Sequence, residues 1–168
     1  ACQRFWQQSL AAGDIYLGTY EGWYNVREET FVTEQDAVTS DYLDPVSGKP
    51  LKKMSEASYF FKLSKYETAI FEHIEANPGF IFPDTRRHEV LERVRNGLQD
   101  LSISRTTFSW GISVPDDPEH VMYVWFDALT NYLSGIGFPD GANARFWPAD
   151  VHIIGKDIIW FHCVIWPC

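Results

Sequence analysis

The sequence predicts an α/β fold, and three observations carry the prediction. HVMYVWFDAL at residues 120–129 and VHIIG at residues 151–155 are apolar on both faces, the pattern of strands covered on two sides. SKYETAIFEHIEANPG and RRHEVLERVRNGL instead place apolar residues at helical spacing and read as a pair of helices. The chain closes on HIIGKDIIWFHCVIWPC, which reads as a buried strand, a glycine and then a helix studded with aromatics. Two-sided strands beside helices imply an α/β layer with parallel strand pairing.

The remaining elements follow in order. ACQRFWQQSLAA is predicted helical, with Phe5, Trp6 and Leu10 on its apolar side and Gly13 as the stop. GDIYLGTYEGWYNV alternates and reads as a turn-rich β segment. Residues 27–58 are polar and irregular, with DPVSGKP as turn chemistry, so an insertion or small knuckle is expected there. Ser64 and Glu67 have the S-x-x-E spacing of a capping box, and Pro78 lies just past the expected helix end. In the second helix Val90, Leu91, Val94 and Leu98 recur at helical spacing, with Gly97 near the stop.

Composition narrows the possible functions. With 168 residues and 45% hydrophobic content, the chain is long enough for one core, or a core plus a small lobe. No apolar run reaches the roughly 18 to 20 residues of a membrane span, and nothing resembles a signal peptide. Lys and Arg total 14 against 23 Asp and Glu, a formal charge of −9, so long-range attraction to a phosphate backbone is not expected of this segment. Neither membrane nor DNA is an expected partner. Cys2, Cys163 and Cys168 show no C-x-x-C spacing, which supports neither a disulfide framework nor a thiolate zinc site and points to a reducing compartment. Aromatic residues make up 16%, including 7 Trp, and signal either a heavily packed core or a binding surface made of rings.

The closing segment has the order of a ligand site. In open α/β sheets ligands collect at the carboxyl ends of strands, where Gly155 and Asp157 fall. Gly155 would let a ligand approach the backbone, and Asp157 serves either as an acceptor for ribose hydroxyls or as a simple N-cap. The Gly155-Lys156 pair is not a P-loop, because that motif needs Gly at Asp150 and Ser or Thr at Asp157. Ile158, His162 and Trp166 stand at i, i+4 and i+8 on one helical stripe, with Phe161 adjoining. His162 is then either a hydrogen-bonded core residue or part of a site, and no Cys or acidic partner at ligand spacing argues for a metal.

These residues carry a resemblance. HIIGKDIIWFHCVIWP resembles the late catalytic-domain segment of methionyl-tRNA synthetases, class I aminoacyl-tRNA synthetases with a Rossmann-type core. YVWFDALTNY, residues 123–132, is similar to the family's tryptophan-bearing methionine-pocket strand and the helix after it. DLSISRTTFSWGISVP resembles the passage before that strand, and GTYEGWY and SYFFKLSKY resemble the two flanks of the connective-peptide knuckle. The five matches stand in the family's order and cover nearly the whole chain.

The departures are informative. Many relatives bind zinc through cysteine pairs between the GWY and YFF elements, whereas residues 25–58 contain no cysteine, so the chain resembles the zinc-free subgroup. Ser113 stands where WGIPVP has proline, a change expected to touch only loop stiffness. The HIGH-type and KMSKS-type signatures of the family's adenylate chemistry are both absent, and KKMSEAS at residues 52–58 shares letters only. The resemblance therefore implies an internal fragment of the catalytic region, inactive by itself.

In that frame residues 1–17 are a helix leaving the first half of the Rossmann core, 18–119 an inserted α+β connective-peptide domain, and 120–168 the start of the second half. A thioether is only a weak acceptor, so methionine recognition falls to shape and sulfur–aromatic contact. The resemblance implies that Trp125, Ala128, Leu129, Tyr132, Ile158, Phe161, His162 and Trp166 surround the side chain, with the Tyr132 hydroxyl or the His162 N–H able to meet sulfur. Such a pocket distinguishes one methylene by only about 1–3 kcal/mol, so tight ring packing has to supply much of the discrimination. Gly155 and Asp157 are implied to hold the ribose of ATP, while Lys156 faces phosphate or solvent. Arg105 either neutralises pyrophosphate or the tRNA acceptor end, as a possible catalytic residue, or is a plain surface arginine. The implied partners of the whole enzyme are methionine, ATP with Mg²⁺ and tRNA(Met), in the cytoplasm or the mitochondrial matrix. Two other readings predict different things: a glycan-binding module would expose coplanar rings, and a class I synthetase for leucine or valine would lack the WFDAL and FHCVIWP elements.

Overall fold

Helix α1 (Cys2–Ala11) forms from a run without Gly, Pro or β-branched residues and buries Cys2 and Trp6. Gly13 ends it at φ +76, with the Asp14 N–H donating back to the Ser9 carbonyl. Leu10 is 43% exposed rather than packed beside Trp6, because it lies in the last turn, beyond the reach of the core. The computed structural model describes residues 1–25, 30–32 and 34–168.

β1 (Ile15–Asn25) pairs antiparallel with β3 (Lys52–Phe61), from Ile15 opposite Phe61 to Tyr24 opposite Lys52. β2 (Thr30–Val32) lies outside β1, and β4 (Leu101–Ser102) outside β3, giving the order β2-β1-β3-β4. At Gly18 a Cβ would come 3.2 Å from the Phe60 ring, which stacks on Tyr16 and Tyr20. The segment read as irregular thus contains a short helix, α2 (Glu34–Thr39), and most of β3. Residues 26–29 and 33 of that segment lie outside the described residues. Strand β3 escapes a pattern search because two of its three buried residues, Glu56 and Ser58, are polar, each with hydrogen-bond partners inside, and apolar Phe61 stands only at its end.

Helices α3 (Glu67–Ala76) and α4 (Asp84–Arg95) form the expected pair, burying Ile70 and Ile74 on one and Val90, Leu91 and Val94 on the other. The capping box does not form. A 3₁₀ turn over Leu63–Tyr66 moves the helix start past Ser64, whose hydroxyl donates to Asp100 at 2.6 Å, while Glu67 accepts the Leu98 N–H at 2.6 Å. Both residues therefore fasten the chain where it returns to the sheet.

β5 (Ser104–Arg105), β6 (Ser113–Val114) and β7 (Asp117–Met122) make a second sheet in the order β5-β7-β6. Every ladder among the described residues is antiparallel, which corrects the expected parallel pairing. A tight turn with Asp116 at φ +65 joins β6 to β7, and two helices rather than one crossover helix bring the chain from β3 to β4. The expected boundaries at residues 17/18 and 119/120 fall inside β1 and β7.

The apolar run at 120–129 is a strand only as far as Met122. The Tyr123 N–H closes onto the Ile103 carbonyl at 2.8 Å, and extended Tyr123 then starts α5 (Val124–Ser134), which buries Leu129 and Thr130. A run apolar on all sides fits strand and helix alike until packing decides. VHIIG is a second correction. It has no ladder partner among the described residues, and Val151 and Ile153 are 73% and 95% exposed. The closing helix begins as a 3₁₀ turn over Lys156–Ile158 and widens to π register over Phe161–Ile165, where Trp166 N–H donates to the Phe161 carbonyl at 2.8 Å. Trp6, Ile74, Val94, Ile103 and Val164 are fully enclosed in one core, which ties α1, the helix pair, the sheets and the closing helix together.

Candidate functional site

α5 and the closing helix face each other and carry most of the predicted residues. Trp125 and Phe161 stack with centroids 3.8 Å apart and planes 11° from parallel. The Tyr132 hydroxyl lies 2.7 Å from His162 Nε2, and His162 Nδ1 lies 2.9 Å from the Ile158 carbonyl. A carbonyl only accepts, so Nδ1 carries the hydrogen and Nε2 of the neutral ring accepts the Tyr132 O–H. His162 therefore has no N–H to offer a sulfur atom, and the Tyr132 hydrogen is itself committed to Nε2. Trp166 stands 6.0 Å from the Tyr132 ring. Ala128 lies one helical turn before Tyr132.

Sequence reasoning missed two members of this cluster. His152 sets its ring edge-on to Tyr132 at 4.7 Å, and Trp147 meets Trp166 edge-on at 6.1 Å. His152 was concealed by the strand assigned to VHIIG, and Trp147 by its place in a loop. No periodic signal marks either.

Leu129 and Trp166 also line a cavity of about 260 Å³ on the other side, walled by Phe5, Phe61, Ile103 and Phe126. The eight predicted residues thus do not share one cavity: only Leu129 and Trp166 line it, and Trp125, Ala128, Tyr132, Ile158, Phe161 and His162 lie outside it. At its rim Asp14 accepts hydrogen bonds from Lys65 at 2.5 Å and from Tyr66 at 2.9 Å. Lys65 holds the Asp14 carboxyl below the usual carboxylate range against the opposing effect of burial. Cys168 lines the cavity too, and burial pushes its thiol up to about 11, so it is no thiolate nucleophile at neutral pH.

The nucleotide-side residues are open. Gly155 sits at φ −70, ψ 151, and a Cβ there would meet nothing within 4 Å. Asp157 is exposed and does not cap the turn, and its carboxylate makes no hydrogen bond among the described residues. Lys156 is exposed as well. No group of three or more His, Cys, Asp or Glu side chains converges as a metal site among the described residues.

Arg105 is not a plain surface residue. Its Nη1 donates to the Ser102 hydroxyl and the Ser104 carbonyl, both at 2.7 Å, and its guanidinium lies 4.4 Å from the Tyr123 ring centroid. Desolvation lowers its pKa. The loop after it is held by Glu56 Oε1, which accepts from Thr106 N–H, Thr106 Oγ1 and Thr107 N–H at 2.5, 2.8 and 3.1 Å. Nearby, Ser104 Oγ lies 2.8 Å from His120 Nδ1, and His120 Nε2 lies 3.8 Å from Asp117. This serine is fully buried and already accepts the Tyr59 N–H, so the trio is structural rather than nucleophilic.

The antiparallel inserted sheet, the helix pair and the strand-to-α5 passage together are the fold of a class I tRNA synthetase, and a family model described as tRNA synthetases class I (M) matches residues 40–168. A methionine–tRNA ligase from Mycobacterium bovis is 54% identical over 172 aligned residues, covering 99% of this chain and 33% of the relative. One from Rickettsia felis is 54% identical over 165 residues, covering 97% and 32%. The crystal structure of Mycobacterium tuberculosis methionyl-tRNA synthetase bound by methionyl-adenylate matches with TM-score 0.84 at 51% identity, over 99% of this chain and 34% of that one. Its apo form matches with TM-score 0.86 at 53% identity over the same shares. The chain belongs to the methionine family of class I tRNA synthetases. It spans about a third of the length of the curated relatives it matches. Nothing in these similarities favours a glycan-binding module or a leucine or valine enzyme. Among the described residues no helix is long and apolar enough to cross a membrane.

Proposed function

We propose that this chain is a catalytic-region segment of a methionine–tRNA ligase, with methionine held between α5 and the closing helix. The observation that carries the reading is the convergence of the Trp125–Phe161 stack and the Tyr132–His162 hydrogen bond from two separate stretches of chain. Flat rings suit a polarisable thioether. The Tyr132 hydroxyl keeps its hydrogen on His162 Nε2, which fixes the phenol ring so that its face and edge, rather than its O–H, meet the thioether.

The nucleotide lies at the glycine bend. Gly155 leaves room for the adenosine, and the Asp157 carboxylate accepts hydrogen bonds from the ribose hydroxyls. Mg²⁺ arrives with ATP and neutralises its phosphates. In the first reaction the methionine carboxylate attacks the α-phosphorus, forming methionyl-adenylate and releasing pyrophosphate. In the second a ribose hydroxyl at the end of tRNA(Met) attacks the methionyl carbonyl and AMP leaves. The chain's share is positioning, which accounts for a large part of catalysis in such displacements.

The connective-peptide insertion spans residues 18–119, anchored at its ends by β1 and β7. Residues 25–58 offer no thiolate pair, so its knuckle works without zinc. The site of action is the cytoplasm or the mitochondrial matrix, where tRNA is charged. Methionine-dependent ATP–pyrophosphate exchange by the full-length protein, compared with leucine and valine, tests the reading. Preference for methionine is expected; equal or better exchange with leucine overturns it. A non-hydrolysable methionyl-adenylate analogue should bind more tightly than its leucyl counterpart.

A further inference from the structure

α4 carries four arginines, and three of them face carboxylates: Arg86 pairs with Glu89, Arg87 with Asp84, and Arg95 with Glu75 and Glu92. Arg93 differs. Among the described residues it has no ion pair, and its guanidinium lies 3.8 Å from the Trp160 ring centroid, the shortest cation–ring distance recorded there. A planar guanidinium stacks on an indole face as an ammonium does not. The contact joins the helix pair, far from the site in sequence, to the residue directly before Phe161.

That position is sensitive. The closing helix leaves 3₁₀ geometry and adopts π register from Phe161 onward, so the rotation of the turn at 159–161 decides where Phe161 and His162 point. Trp160 is partly buried against the core, and Arg93 covers its other face. We propose that Arg93 is a positioning residue for the methionine pocket: through Trp160 it fixes the turn that sets Phe161 against Trp125 and His162 against Tyr132. The inference rests on the methionine reading of that pocket.

The test is steady-state ATP–pyrophosphate exchange by the full-length protein. Arg93→Gln is expected to raise the KM for methionine about two- to fivefold, leaving the KM for ATP and the unfolding midpoint unchanged. Arg86→Gln, on the same helix but paired with Glu89, is expected to match wild type. Trp160→Leu should reproduce the methionine effect, and the double variant should be no worse than the poorer single one. An unchanged methionine KM in Arg93→Gln overturns the proposal even if Trp160→Leu fails to fold. So does a parallel shift of both KM values with the unfolding midpoint, which marks a purely structural contact. A wild-type protein with no methionine-dependent exchange would instead sink the pocket reading itself.

Discussion

Tyr132 and His162 are joined by a 2.7 Å hydrogen bond in which the phenol is the donor, because the other imidazole nitrogen is committed to the Ile158 carbonyl. Tyr132→Phe removes that donor and leaves Nε2 without its partner in a buried position. A bond of this kind is worth about 1 kcal/mol, so methionine KM is expected to rise about fivefold. Exchange kinetics at varied methionine, with ATP saturating, check it.

The Trp125–Phe161 stack bears on selectivity. Phe161→Leu exchanges a flat ring for a branched side chain and forfeits about 0.5–1.5 kcal/mol of ring contact. The ratio of kcat/KM for methionine over leucine is expected to fall several-fold. An unchanged ratio would remove Phe161 from the pocket.

If Gly155 and Asp157 hold the nucleotide as proposed, changing them separates nucleotide binding from folding. Alanine tolerates φ −70 and would meet nothing within 4 Å, so Gly155→Ala is expected to keep the unfolding midpoint while weakening ATP. Asp157→Asn loses charge-assisted bonds to ribose, worth about 1.5–3 kcal/mol, and should raise ATP KM about ten- to a hundredfold at unchanged methionine KM. Calorimetry and exchange kinetics on the same preparations distinguish the two effects.

Glu56 is a local fastening. One buried carboxylate oxygen takes three donors from residues 106 and 107, and Glu56→Ala strands all three. A loss of about 2–4 kcal/mol of local stability is expected, read as faster amide exchange at Thr106 and Thr107, with Glu56→Gln intermediate.

Asp14 sets an acid limit. Its folded carboxyl titrates below its unfolded value, so its stabilisation is present above the ordinary carboxylate range, about pH 4, and is lost as pH falls through the lower folded value. Unfolding midpoints measured from pH 6 to pH 2 should decline most steeply below about pH 4. Asp14→Asn should flatten that decline, although half-exposed Lys65 keeps the effect modest.

Much of the site could be read from the residues alone. The i, i+4, i+8 stripe of Ile158, His162 and Trp166 survives the change to π register closely enough that His162 still reaches Ile158 and Trp166 still approaches Tyr132. The helix pair was equally legible, because its apolar residues obey helical spacing. Strand β3 was not, since two of its three buried positions, Glu56 and Ser58, are polar and bonded to partners distant in sequence, such as Thr106 and Ser102. His152 and Trp147 stayed hidden for a related reason: each earns its place through a ring neighbour that no local pattern reveals.

Residue order by itself determined the family and the helix pair, because those depend on motif order, local spacing and side-chain chemistry. Tertiary structure alone decided that the helix would begin at Val124 directly after Met122 and an extended Tyr123, that the ladders would run antiparallel and that His162 would accept rather than donate toward Tyr132. An all-round apolar run has no preferred partner until neighbouring surfaces enclose it, and a histidine tautomer is set by the groups that happen to face its two nitrogens.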